Sequence, residues 1–176
     1  MVACAYAGKF QSEVNKVVLM DAIIPGVEPE WTQITTTSWW FSFQAQPNSE
    51  RSIQGNERNY LTNFWPGVAF KKDAFTAAEV NEFVRAYSVP GALRGSFEWF
   101  RAFPKDVVDN KTLFATKLTV PILTMGAQYF SGNFLAKDAK TIANDVSDYP
   151  ILNSGHWIVQ ENTAATLQGL IAFLDQ

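Results

Sequence analysis

One cysteine and one histidine are all that this 176-residue sequence offers of the two strongest metal-binding residue types. A lone Cys4 excludes an intramolecular disulfide and a thiolate metal cluster, and with a single His156 a dedicated zinc site is not expected. No apolar run approaches the roughly eighteen residues that a membrane-spanning helix needs. The N-terminus lacks the charged-then-apolar layout of a secretory signal. Positive charge is also sparse: the net charge is −3 with no basic block, which argues against nucleic acid as a partner. The expectation is a soluble cytoplasmic protein with no metal and no cofactor.

What the sequence has in quantity is aromatic side chains. It holds 14 Phe, 6 Trp and 5 Tyr, crowded between Trp31 and Phe103. With 47% hydrophobic and 18% charged residues, the chain can build one sizeable core. An aromatic belt of this density suits a lid over an apolar pocket, and simple packing would use it equally well.

The pattern along the chain is α/β. Residues 1–11 read as the body of a helix, since no capping residue introduces them. Lys16–Met20 is a continuous apolar run, as in a strand buried on both faces of a parallel sheet, and Asp21 ends it. A long helical stretch follows, with helices predicted over Ile34–Ala45, Ser49–Phe64, Ala77–Tyr87, Ala92–Phe103 and Lys105–Ala115. Val120–Met125 is a second apolar strand and Gly132–Asn144 a helix. Pro150–Leu152 is a third strand, and Gln160–Leu174 closes the chain as an amphipathic helix. The order is that of a partial doubly wound, mostly parallel sheet interrupted by helices. It divides the chain into a first core segment (1–30), a helical cap (31–117) and a second core segment (118–176).

His156 lies in Ser154-Gly155-His156-Trp157, between the third strand and the closing helix. Held on a glycine-containing turn, it is available for proton transfer near neutral pH, although a surface or packing histidine would read the same way. Asp21, at the end of a strand, is either an acid that orients this imidazole or the cap of a turn. Tyr87 falls on one face with Val80, Phe83 and Val84, a face predicted to be buried, where its hydroxyl needs a partner. Asp138 and Asp145, in or near a helix, read as solvated surface charges. Glu161, at the start of the closing helix, suits the positive end of its dipole.

Three ordered blocks resemble the C-terminal part of an α/β-hydrolase of the epoxide hydrolase and haloacetate dehalogenase type. They are Val17–Pro25 with Asp21; Trp39–Pro47 with Tyr60 and Arg85–Ser88; and Ser154–Trp157 with Glu161. The resemblance implies hydrolysis of an epoxide to a diol through an ester. In it His156 is the base, Asp21 its orienting acid and Tyr87 the donor to the departing oxygen. Trp39, Trp40, Phe41 and Tyr60 would contact a small apolar substrate. Many members place the orienting acid after the seventh strand, but the corresponding residues Gly126–Phe130 contain no carboxylate, which favours Asp21. At Trp40 and Phe41 the chain departs from the family, whose members carry a histidine, or a histidine followed by tryptophan; Phe41 cannot donate a hydrogen bond, which argues against a fluoride leaving group.

The family's nucleophile elbow would lie before Met1, and neither Gly-x-Asp-x-Gly nor Gly-x-Ser-x-Gly occurs in the 176 residues. The chain by itself is therefore expected to be inactive. An esterase or haloacid dehalogenase of the same fold, or a non-catalytic paralogue that binds small apolar ligands, remains an alternative. Self-association through the exposed edge at Lys16–Met20 is a further expectation.

Overall fold

The computed structural model describes residues 1–175. Three parallel strands, β1 (Val17–Met20), β2 (Ile122–Met125) and β3 (Val146–Asp148), form a sheet in the order β1-β2-β3. β2 is the central strand and every residue in it is buried. Its side chains alternate between two cores, as the period-two geometry of a strand requires. Ile122 points into a cluster with Cys4 and Ala7 of α1 (Val2–Lys9) and Leu135, Ala139 and Ile142 of α7 (Phe134–Ile142). Leu123 and Met125 point the other way, towards Ile151, Ile158 and Phe173. Ile158 belongs to the short α8 (Ile158–Glu161) and Phe173 to α9 (Thr163–Leu174). With helices on both faces, the sheet is doubly wound.

β1 differs from its predicted double burial. Val17 and Leu19 are buried, whereas Val18 and Met20, facing the α9 side, are half-buried. It is an edge strand, paired only with β2 among the described residues. The third strand is displaced from the predicted Pro150–Leu152 to Val146–Asp148. Hydrophobicity correctly marks Ile151 as core, 0% exposed, but Pro150 has no N–H for a ladder, and Ile151 makes only an isolated bridge to Ala127. The ladder instead uses an edge segment with polar, exposed Ser147 and Asp148, as suits an outer strand.

Between β1 and β2 the chain forms α2 (Glu30–Thr37), α3 (Trp39–Ala45), α4 (Glu57–Val68), α5 (Ala77–Tyr87) and α6 (Ala92–Leu113). The predicted Ile34–Ala45 helix is broken by Ser38, which is buried with an extended backbone. The predicted Ser49–Phe64 helix is a 3-10 turn (Ser49–Ser52) followed by α4, with Gly55 at φ +82° between them. α5 has its predicted bounds because Thr76 and Glu79 form a reciprocal capping box. α6 runs unbroken through Pro104, where two helices were predicted. Proline removes one intrahelical hydrogen bond. Phe97 and Phe103, buried on either side of this region, hold the helix against its neighbours. The helical layer has its own small core of Ile53, Leu93 and Phe97, edged by Phe43, Tyr60 and Tyr87. None of its helices, nor any other helix among the described residues, is long and apolar enough to cross a membrane.

Candidate active site

Parallel packing of β1 on β2 carries the backbone of Asp21 one step beyond the strand, where its N–H donates to Met125 O at 3.0 Å. There the residue turns into the left-handed region, φ 41°, which asparagine and aspartate tolerate better than most side chains. This sends a carboxyl group that is 2% exposed across the end of β2. Its Oδ1 accepts the Ala127 N–H at 2.7 Å and the Ser131 hydroxyl, and its Oδ2 lies 2.8 Å from His156 Nδ1. Residues 21 and 156 are thus joined across 135 positions of sequence. A carboxylate has only acceptor capacity, so the arrangement calls for a proton on Nδ1 and leaves Nε2 as the ring's other nitrogen. The histidine side chain keeps 34% of its surface open, enough for solvent or a small molecule to reach it.

The loop after β2, which has no carboxylate, contributes through its backbone and Ser131. Gly126 is necessary here because a Cβ would stand 2.3 Å from Gly132 O, in the turn that brings Ser131 to Asp21. The same loop binds the histidine loop through Gln128 N to Ile151 O at 3.0 Å and Tyr129 N to Ser154 O at 3.0 Å. On the far side, the His156 N–H donates to Val68 O at 2.9 Å and Trp157 Nε1–H to Trp65 O at 3.1 Å, both at the end of α4. The imidazole therefore stands where the sheet meets the helical layer.

The aromatic residues fall into different situations. Phe130 packs on His156 with 4.5 Å between ring centres and stacks on Trp40 at 6.4 Å. From Trp40 a path of rings continues through Phe64, at 5.6 Å, to Tyr60, at 5.8 Å. Phe41 touches this path at Trp40, 6.2 Å between ring centres, and otherwise packs among Trp31, Phe100 and Phe103 within the helical layer. Trp39 is 55% exposed and lies at the surface, with its ring against Trp40 and Phe64. Tyr60 accepts a hydrogen bond from the buried Gln44 at 2.5 Å, and burial raises its phenol above the ordinary range. The nearby Tyr87 phenol adds to that rise.

Tyr87 departs from expectation. α5 buries no residue fully: Tyr87 is half-buried beside the Phe97 cluster, and Phe83 is 36% exposed. Among the described residues the Tyr87 hydroxyl makes no hydrogen bond, being wet enough not to require one. It lines a cavity of about 450 Å³ whose wall includes Glu50, Arg94 and Arg101 but neither His156 nor Asp21. The structure brings Trp40 to the imidazole through one intervening ring and sets Tyr87 near Tyr60, against the same Phe97 cluster.

Two carboxylates were misread from sequence. Asp138 is not a solvated charge; it is 1% exposed in α7, with Oδ2 accepting Ile24 N–H at 3.4 Å and Oδ1 without a hydrogen-bond partner among the described residues. Burial pushes its pKa up to about 7, with Glu30 and Glu28 adding to the rise against the Ile24 hydrogen bond. Glu161 ends α8 rather than beginning the last helix, and its carboxylate binds backbone N–H groups on both sides of His156. Asp145 is exposed, as predicted. Ser131, Phe130 and Gln44 gave no sequence signal, because nothing in their local pattern separates them from ordinary loop and core residues.

No family model matches the chain. It is 23% identical over 116 residues to a soluble epoxide hydrolase of Corynebacterium sp. (strain C12), covering 66% of this chain and 40% of that protein. Over 156 residues it is 25% identical to the AB hydrolase superfamily protein YfhM of Bacillus subtilis (strain 168), covering 89% of this chain and 53% of the relative. The chain has an α/β-hydrolase fold. It superimposes on the solved structure of the epoxide hydrolase CorEH without ligand with a TM-score of 0.87 at 21% identity, covering 99% of this chain and 64% of that one. It thus spans about half the length of the curated relatives it matches, and its resemblance is to their C-terminal part. Both of these relatives carry hydrolase names.

Proposed function

We propose that this α/β-hydrolase chain supplies the base, the orienting acid and the oxygen-binding side chains of an epoxide hydrolase-like site. The observation that carries the reading is the 2.8 Å contact between His156 Nδ1 and the buried carboxylate of Asp21. Asp21 holds the ring in one tautomer and balances the positive charge that develops when Nε2 takes a proton. In the proposed reaction an enzyme carboxylate attacks a ring carbon of the epoxide. The carbon–oxygen bond breaks and an ester forms. The departing oxygen takes a proton from Tyr87, with Trp40 lining the approach. His156 then removes a proton from water as that water adds to the ester carbonyl. Collapse of the adduct passes this proton to the leaving oxygen and releases the diol, and the enzyme carboxyl group so formed returns its proton to the Tyr87 phenolate. No cofactor enters this scheme. The division into core segments 1–30 and 118–176 around a cap at 31–117 belongs to the same reading.

The 176 residues contain no nucleophile elbow, so this polypeptide alone is expected to yield no diol from a styrene-type epoxide. The test joins it to the elbow-bearing N-terminal part of the Corynebacterium soluble epoxide hydrolase. That chimera should form diol, and its His156→Gln variant should accumulate an ester adduct visible as a mass increase equal to the epoxide. Diol formation at an undiminished rate in the His156→Gln chimera would refute the assignment. Self-pairing through the free edge of β1 is also proposed; light scattering should show dimers or larger species, and a sharply melting monomer would exclude it.

A further inference from the structure

Glu161 is 2% exposed and its carboxylate accepts four backbone N–H groups. Oε2 takes Phe70 and Lys71 at 2.8 Å and Gly155 at 2.9 Å, and Oε1 takes Trp157 at 3.1 Å. Two of these donors belong to the turn after α4, and the other two flank His156 on either side. Hydrogen bonds to an ionised acceptor are about twice as strong as neutral ones, and here they converge on one buried group. The seam around it is close. A Cβ on Gly155 would stand 2.4 Å from Phe70 N and 2.7 Å from Val68 O, so only glycine lets the two backbones approach this far. Lys71 Nζ also donates to Glu161 O, fastening the turn at a second point.

This arrangement exceeds what a carboxylate at a helix start achieves through the dipole alone. The imidazole is one third exposed, and among the described residues its ring is held by Asp21 and by contact with Phe130 and Trp157. Its backbone has no regular secondary structure; it is fixed by the Val68 hydrogen bond and by the neighbours that Glu161 binds. We propose that Glu161 is a positioning residue for His156, clamping residues 155–157 to the turn at 68–71 so that the imidazole meets Asp21. The inference rests on reading His156 and Asp21 as base and orienting acid, and adds to it that the base is registered to the helical layer as well as to the sheet.

Because the chain has one histidine, its ring nitrogens give an unambiguous 15N NMR signature of tautomer. Glu161→Gln is the informative variant. Its amide oxygen can replace Oε2 on three of the donors, while its NH2 then faces the Trp157 N–H, donor against donor. In the folded wild-type chain the Nδ1–H tautomer should dominate. In Glu161→Gln it should fall at least twofold, and exchange of the Gly155 and Trp157 amides should quicken by about tenfold, as loss of one such bond allows. Glu161→Ala should go further where it folds. Asp21→Asn serves as the control. If Asp21→Asn changes the ring signature while a folded Glu161→Gln leaves it at the wild-type value, the positioning role is refuted and the base–acid pair stands. If neither variant moves it, both fail together. A merely structural Glu161 would lower the melting temperature without altering the ring.

Discussion

Asp21 and Asp138 are two aspartates of almost equal burial, 2% and 1% exposed, in very different hydrogen-bonding surroundings. Asp21 has a donor for each oxygen: the Ala127 N–H and Ser131 hydroxyl on one, the imidazole on the other. Asp138 has one long bond from Ile24 and an orphaned oxygen, with Glu28 and Glu30 nearby, and is pushed up to about 7. Burial alone does not decide what a carboxyl group does. The donors around it decide how much of the cost of burial is offset.

Removing the partnered group has the largest expected effect. Asp21→Ala leaves a buried N–H and a buried hydroxyl without an acceptor and should lower stability by about 3–5 kcal/mol in denaturant unfolding. A loss below about 1 kcal/mol would show that its donors find other partners. The next effect has the opposite sign. The folded pKa of Asp138 lies above the unfolded value of 3.8, so its favourable contribution is complete below that value and is lost as pH rises towards 7. Asp138→Asn, which cannot ionise, should therefore be more stable than the wild type at pH 8, by up to about 4 kcal/mol. The two should converge near pH 4. Parallel pH profiles of melting temperature for the two proteins would break the comparison. Ser131→Ala makes Asp21 more like Asp138 by withdrawing one donor, and should cost about 1.5 kcal/mol by urea titration. Tyr87→Phe should change stability by less than about 0.5 kcal/mol, since its hydroxyl holds nothing in the described structure, while slowing ring opening in the elbow-bearing chimera.

The parts of the molecule legible in sequence were those governed by local rules. Apolar runs mark β1 and β2, a helical period marks α5, and the acid-free loop after β2 points to Asp21. The misreadings came from long-range packing. β3 was missed because an edge ladder can be polar, and α6 was divided at Pro104 because tertiary contacts can carry a helix through proline. Asp138 looked solvated because an isolated aspartate on a helix gives no local sign of which face its neighbours cover. Glu161 was placed at a helix terminus by position, whereas its role comes from a turn 90 residues away. The Asp21–His156 contact followed from a family's ordered blocks, a kind of information that spacing alone does not hold.

The measurement closest to the centre of this account is neutron diffraction from a deuterated crystal of the chain. It should locate a deuteron on His156 Nδ1 directed at Asp21 Oδ2, with Nε2 turned to the open side of the ring. A bare Nδ1, or an imidazole rotated out of reach of the aspartate, would contradict the account.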